Sequence, residues 1–409
     1  MERTILHCDL NNFYASVACH DNPELRNRAV AVCGSVEERH GIVLAKNMAA
    51  KRFGVKTGEA IWQAKQKCPG LVTVPPDFTR YSYFSSAAKA IYSEYTDLLE
   101  PFGPDEAWID VTDSALIFGD GKRIANELRE RIKQELGLTI SVGVSFNKVF
   151  AKLGSDLKKP DATSIISKDN YKSVVWGLPI DAMIGIGPSS KRSLNSIGIN
   201  TLGDLAQSDD KLLKKRLGIR GPELKQYALG NDTSRVSPIG FKRMPKSIGR
   251  GTTYHRDITS KEDIWRLFLK LSEEVGTELR AWSLSASGVG IHLRTNELKV
   301  NELQAPLSIP TQLGFDLAKE GLKLFEEKYD FSKPLRSVGI RAINLRPCSE
   351  EARQIYLFED FEKSAKLETI EKEMDAIRSR FGKNSIKRGS LLYEETPPRA
   401  EHPFSIMYK

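Results

Sequence analysis

A chain of 409 residues is longer than one ordinary hydrophobic core organises, so two to four domains are expected. With 40% hydrophobic and 28% charged residues the composition is that of a globular protein, and no run of eighteen apolar residues offers a membrane span. The formal charge of +8 is unevenly placed: zero over residues 1–166, +4 over 167–240, +4 over 241–350 and zero over 351–409. A surplus confined to the middle fits a polyanion partner such as nucleic acid, or simply a solvated basic surface.

The opening MERTILHCDLNN is too short and too soon polar for a signal peptide, and the five cysteines show no CxxC spacing. The expected location is therefore the cytoplasm, with no membrane partner and with thiols that act as small hydrophobes. The six scattered histidines give no zinc pattern, and no GxxxxGK run supports a P-loop ATPase.

RTILHCD predicts a strand ending at Asp9, and NNFYASVACH a helix entered from it. Helical character returns in TRYSYFSSAAKAIYSEYT, from Thr79, and in GKRIANELRERIKQEL, from Gly121. Between them, EPFGPDEAWIDVTDS sets Asp105 and Glu106 at the start of a strand running from Ala107. LTISVGVSF, rich in β-branched residues, predicts another strand beside that one. Asp9, Asp105 and Glu106 then converge on one patch of a small sheet. Clustered carboxylates repel one another and resist desolvation, so an ionised cluster implies a cation. Oxygen-only ligation suits Mg²⁺, and two such ions stabilise the attacking and leaving oxygens of a phosphoryl transfer. Taken singly, an Asp-Glu pair at an exposed strand end needs no metal.

SVGVSFNKVFAKLGSDLKKPD next runs from strand into a helix carrying Lys148, Lys152, Asp156, Lys158 and Lys159, which Pro160 stops. Asp156 shares a helical face with Lys148 and Lys152 and can pair with either. In MIGIGPSSKRSLNSIGINTLGDLAQ, Gly185 and Gly187 supply the tight turn of a helix–hairpin–helix, with Lys191 and Arg192 as its charge. Such turns aim backbone N–H groups at a DNA phosphate. Residues 241–350 read as strand, helix, strand, strand, helix, strand. Ser260-x-x-Asp263 caps the first helix, and Val289, Ile291 and Leu293 alternate with Gly290, His292 and Arg294. LRSVGIRAINL repeats the alternation, with Arg341 among its polar positions. A polar sheet face carrying Arg250, Arg294 and Arg341 can lie against a DNA backbone. His292 reads equally as an ordinary surface histidine.

Four stretches, LHCDLNNFYASVA, AKNMAAKRFGVKTGEAIWQAKQKCP, PFGPDEAWIDVTD and SVGVSFNKVFAKLGSDLKKPD, in this order and spacing, resemble the Y-family translesion DNA polymerases, over roughly residues 1–350. The resemblance implies an α+β, multidomain right hand. Its parts would be a ferredoxin-like palm (1–18 and 78–166), fingers (19–77), a thumb with the helix–hairpin–helix (167–240), a βαββαβ little finger (241–350) and a C-terminal tail (351–409). It implies that Asp9, Asp105 and Glu106 bind two Mg²⁺ ions with the Leu10 carbonyl. Tyr14 falls at the steric gate that excludes a 2′-hydroxyl, with Phe13 beside it or simply in the core. Lys159 matches the lysine on the incoming triphosphate, and Lys148 would contact that triphosphate or brace the acids. The implied partners are primer–template DNA, a dNTP, the bacterial sliding clamp (its β subunit) and accessory proteins of the SOS response. Gln354, Leu357 and Phe358, in QIYLF, fit the clamp-binding pattern.

The sequence also departs from the family's best-known branch. Met48 and Lys51 stand where polymerase IV-like members carry Tyr and Arg against the triphosphate, and Lys lacks the bidentate fork of Arg. Asn11 replaces the second acid of the common D-x-D. Both changes lean toward the UmuC/ImpB-like side. The expected activity is template-directed, low-fidelity translesion synthesis in DNA repair and damage tolerance. A nucleotide cyclase would share the paired acids but not the basic middle segments. A non-catalytic, clamp-tethered DNA-binding protein would have no use for the acids.

Overall fold

The computed structural model describes residues 2–37, 39–348 and 361–391. Among them, residues 2–34 and 42–242 cluster as one unit, and residues 35–41 and 243–391 as a second.

In the first unit, strand β1 (Ile5–Leu10) is buried along its whole length and turns directly into helix α1 (Phe13–Asp21). The turn runs through Asn12, whose φ of 49° suits an asparagine better than a branched residue. Strands β2 (Val30–Cys33) and β3 (Val43–Lys46), short helices α2 (Met48–Arg52) and α3 (Ile61–Lys67), and β4 (Val72–Val74) follow. They form a small sheet, ordered β3-β2-β4, over its own core of Ala31, Val43, Ala50 and Ala64. The chain continues through α4 (Phe78–Ser93), β5 (Leu99–Pro101), β6 (Glu106–Asp110), α5 (Ala115–Phe118), α6 (Gly121–Leu136), β7 (Ile140–Ser145), α7 (Lys148–Leu157) and β8 (Thr163–Ile166).

These strands build a five-stranded sheet ordered β5-β6-β1-β7-β8. The expected adjacency of β6 and β7 is thereby corrected, because β1 lies between them and pairs antiparallel with both. A strand buried on both faces belongs at the centre of a sheet, and β1 is one. Its Leu6, Cys8 and Leu10 pack in the core with Tyr81 and Phe84 of α4 and Leu128 and Ile132 of α6. Ile5, His7 and Asp9 point to the other face, against α7. That helix comes unusually close: a Cβ on Gly143 would stand 2.0 Å from the Ala151 carbonyl oxygen and 2.4 Å from the Ser155 nitrogen. Only glycine at 143 permits this approach.

Helices α8 (Tyr171–Val175), α9 (Pro188–Asn195), α10 (Leu202–Gln207), α11 (Asp210–Leu217) and α12 (Arg220–Ala228) then pack around Leu194, Leu202, Leu205, Leu213 and Leu224. The segment after α12 returns to the sheet. The Arg3 guanidinium donates to the Asp232 and Ser234 carbonyls at 3.0 and 2.7 Å, and Val236 is buried with Ile5, Trp108 and Ala151.

The second unit has the expected βαββαβ order: β9 (Ser247–Ile258), α13 (Lys261–Ala281), β10 (Leu284–Thr295), β11 (Val300–Thr311), α14 (Gly314–Lys328) and β12 (Leu335–Pro347). Its antiparallel sheet runs β11-β10-β12-β9, with α13 and α14 packed on one face over Ile264, Phe268, Val289, Ile291 and Ile340. Ser260 caps α13 by accepting from the Asp263 N–H at 3.1 Å, as its spacing predicts. The tail helix α15 (Phe361–Phe381), for which the sequence offered no role, is bound to α13 by charge. Arg280 reaches Glu371 and Asp375, each at 2.6 Å, while Glu273 takes Arg378 at 2.8 Å and Arg388 at 2.6 Å. Among the described residues, no helix is long and apolar enough to cross a membrane.

Candidate active site

The three acids meet at one end of the five-stranded sheet. In the β1–β6 ladder Asp9 stands directly opposite Glu106, and the Leu10 N–H donates to the Asp105 carbonyl at 3.0 Å. The loop before β6 is held by Lys89, whose ammonium donates to the Gly103 carbonyl at 3.0 Å. The expected convergence of Asp9, Asp105 and Glu106 is therefore present in the backbone register itself.

Two lysines lie among these acids. Lys159 Nζ is 2.7 Å from Asp9 Oδ2, while Lys152 Nζ is 3.3 Å from Asp9 Oδ2 and 3.0 Å from Glu106 Oε2. Asp156 pairs with both, at 3.2 Å to Lys152 and 2.8 Å to Lys159. Lys148 braces none of the acids: it pairs with Glu100 at 2.7 Å and lies 4.5 Å from the Trp108 ring centroid. Lys152 occupies the place the sequence reading gave to Lys148. Both lysines lie toward the Asp156 side of the helix, so no local pattern separates them; the close seat of α7 on the sheet does.

The acids differ electrostatically. Burial, with the charges of Glu106 and Asp9, pushes the Asp105 carboxyl up to about 6. Burial also raises Asp9, against the pull of Lys159 and Lys152. Burial opposes the charge on Glu106 too, but His7 and the Lys152 ammonium outweigh it and hold that carboxyl at about 2. Burial lowers His7 below the usual imidazole range. Four carboxylates against two ammonium groups leave the cluster at −2 when all are ionised. Among the described residues, no three His, Cys, Asp or Glu side chains stand together as a finished metal cage. The donor set nonetheless fits a hard divalent cation: the oxygens are carboxylates, the net charge is matched, and at Asp105 burial and the charges of Glu106 and Asp9 outweigh the pull of Lys152.

Asn11, where the second acid of D-x-D was expected, is buried and fully engaged. Its amide donates to Ser141 Oγ at 2.9 Å and accepts from Thr139 Oγ1 at 3.0 Å and from the Asp161 N–H at 2.8 Å. An aspartate cannot donate to Ser141, so here the amide ties β1 to β7 and to the loop that carries Lys159. Tyr14 stacks on Tyr81 with centroids 4.0 Å apart and planes 10° from parallel. Phe13 is buried in the core. Met48 opens α2, capped by Asn47, which accepts from the Ala50 N–H at 3.0 Å; Lys51 lies exposed in its last turn.

At the hairpin, Gly185 has φ 91° and Gly187 precedes α9, whose first residue is Pro188. Lys191 pairs with Asp181 at 2.8 Å, and Arg192 is exposed. An open cleft of about 450 Å³ runs between Lys152 and Asp156 on one side and residues 181–187 on the other. In the second unit, Arg341 lies across Gly249 and Gly290, whose absent Cβ atoms would stand within 2.8 Å of its side chain. Arg294 is partly buried on the same strand as Gly290. Arg250 does not join them. It shares the face of buried Ile248, turns toward α13 and pairs there with Glu278 and Glu274. Gln354, Leu357 and Phe358 lie outside the described residues.

The fold matches that of a chimeric Y-family DNA polymerase, with a TM-score of 0.73 and 23% identity, over 83% of this chain and 98% of that one. A right-hand polymerase architecture is thus the class that the sheets and their acidic strand ends define. Profiles of the impB/mucB/samB family and of its C-terminal domain match residues 8–156 and 245–357. The chain belongs to this family, the Y-family of DNA polymerases. It is 50% identical to DNA polymerase IV of Acetivibrio thermocellus, over 96% of this chain and 98% of that protein. It is 36% identical to DNA polymerase IV 1 of Bacillus subtilis, over 96% of this chain and 94% of that protein. The family description names the ImpB side while these relatives are named polymerase IV, so Asn11, Met48 and Lys51 do not decide the branch.

Proposed function

We propose that this protein is a template-directed DNA polymerase that extends a primer 3′ end and acts in translesion synthesis. The observation that carries this reading is the facing of Asp9 and Glu106 across β1 and β6, with Asp105 adjacent and Lys159 at 2.7 Å from Asp9. Asp9, Asp105, Glu106 and the Leu10 carbonyl would hold two Mg²⁺ ions. When bound, these supply Lewis-acid stabilisation to the attacking 3′-oxygen and the leaving pyrophosphate oxygens. The chain's own groups do the positioning. Lys159, released from Asp9, turns its ammonium to the triphosphate, and Met48 and Lys51 line that side of the nucleotide. The Tyr14 ring, stiffened by stacking on Tyr81, sets the floor against a 2′-hydroxyl. Phe13 holds that ring from the core. The cleft beside Lys152 leads toward Gly185, Gly187, Lys191 and Arg192, which suit a duplex backbone. Arg294 and Arg341 offer a second phosphate-binding face, and Arg250 supports it from the helix side.

The fuller reading adds a cytoplasmic location, anchoring to a sliding clamp through Gln354, Leu357 and Phe358, and engagement of accessory SOS proteins. The chain's QIYLF sequence supports the clamp. A tethered binder without catalysis is not favoured, because it gives no use to Asp105, whose buried carboxyl is raised to about 6 and costs a fold that holds no cation. Primer extension on undamaged and abasic templates tests the proposal. Synthesis past the abasic position is expected; arrest there on a template otherwise copied would remove the translesion role.

A further inference from the structure

A buried histidine stands directly behind the acids. His7, on β1, has no exposed surface; its Nδ1 lies 2.9 Å from Ser155 Oγ and its Nε2 3.3 Å from Glu106 Oε2. Trp108 packs against the imidazole at 66°, centroids 5.2 Å apart, and so fixes its plane. Among the described residues neither His7 Nε2 nor Glu106 Oε2 has a hydrogen bond of standard geometry, although the Lys152 ammonium stands 3.0 Å from that oxygen. Two buried polar atoms in this state call for an explanation, and beside an acid cluster that suits a cation a role in the site is one. Ser155 Oγ also lies 2.7 Å from the Lys152 carbonyl, so its one proton serves either that carbonyl or His7 Nδ1; a neutral imidazole protonated on Nε2 takes it on Nδ1 and donates toward Glu106. The other tautomer would set a lone pair against a carboxylate oxygen with no water between.

We propose that His7 is a positioning residue for Glu106: its Nε2–H, with Nδ1 steadied by Ser155, orients the Glu106 carboxylate toward the divalent cation that the acid cluster takes. This rests on the metal-binding reading above. The fold supports it independently, since Ser155 reaches His7 only because Gly143 admits α7 so close to the sheet. As the cation displaces the Lys152 ammonium from Glu106, the histidine N–H keeps the carboxylate plane in place. Groups that orient ligating carboxylates contribute roughly ten- to a hundredfold to metal affinity.

The test is Mn²⁺ binding to the full chain with primer–template and no dNTP, followed by electron paramagnetic resonance, so that no turnover enters the readout. His7→Gln carries an amide N–H near the position of Nε2, whereas His7→Asn carries one near Nδ1. The expected result is Mn²⁺ affinity within about twofold of wild type for Gln and about tenfold weaker for Asn, with primer–template affinity unchanged in both. Equal weakening by the two, or none by Asn, overturns the proposal. Should the Asn chain fail to fold, Ser155→Ala leaves the imidazole in place without its Nδ1 partner. Weakening by about threefold is then expected, and wild-type affinity would overturn the role. A wild type that takes up no Mn²⁺ removes the metal reading itself, and with it the ground for His7; affinity lost only in the His7 variants leaves that reading standing.

Discussion

Asp105 is the residue at which the fold works against itself. Its carboxyl is pushed up to about 6 by burial and by the charges of Glu106 and Asp9, and above that pH it sits ionised among like charges. Asp105→Asn should therefore stabilise the metal-free protein at pH 8 by roughly 1–3 kcal/mol in urea denaturation, while abolishing the added stability that Mg²⁺ gives the wild type. Destabilisation instead would mean that the carboxylate is satisfied by contacts within the fold. Tyr14 makes a second expectation at this scale. Tyr14→Ala should raise ribonucleotide incorporation relative to dNTP by about tenfold or more, read as the ratio of kcat/KM values; an unchanged ratio would leave Tyr14 as core packing around Tyr81.

Among the elements, helix α7 depends most on a single residue, the glycine at 143 on which it is seated. Gly143→Ala places a methyl within 2.0 Å of backbone, which no side-chain motion relieves, so a loss of at least about 3 kcal/mol in urea denaturation is expected. Wild-type stability would show that α7 can retreat from the sheet. Helix α10 offers a pH test. Asp204 accepts from the Asn200 and Thr201 N–H groups at 3.0 and 2.9 Å, and these bonds hold its carboxyl below the ordinary 3.8. A depressed value stabilises the folded state above 3.8, and the gain is lost as pH falls through the folded value. The stability deficit of Asp204→Asn should accordingly be full at pH 7, a few tenths of a kcal/mol for so exposed a carboxylate, and shrink on acidification; a deficit independent of pH would contradict the capping role.

The same elements show what the sequence made legible. Strand ends at Asp9 and Glu106, the cap at Ser260 and the alternation through Val289 are local patterns, and local patterns survive folding. The place of β1 between β6 and β7 was not local: it depends on which strand is buried on both faces. Whether Lys148 or Lys152 meets the acids depends on the rotation of α7, which Gly143 and Gly154 set across the sheet. Arg250 could have been placed from Ile248, two residues earlier on the same face, but its partners Glu274 and Glu278 lie on another element. The partners of α15 on α13 are more remote still.

At the scale of the whole molecule, the proposed reading assigns the basic surplus of residues 167–350 to a nucleic-acid backbone and the chemistry to residues 1–166, which carry no net charge. Arg192→Ala combined with Arg341→Ala should reduce the slope of log affinity for primer–template against log salt by about two, leaving Mn²⁺ uptake unchanged. An unaltered slope would place the DNA elsewhere. The proposed catalysis, however, turns on the acids. Its most direct test is primer extension with Mg²⁺ and dNTPs by the wild type and by Asp105→Ala/Glu106→Ala, with primer–template affinity measured in parallel. Extension by the wild type that disappears in the double variant, with DNA still bound, is the expected result. Extension that persists without the two carboxylates would contradict the account at its centre.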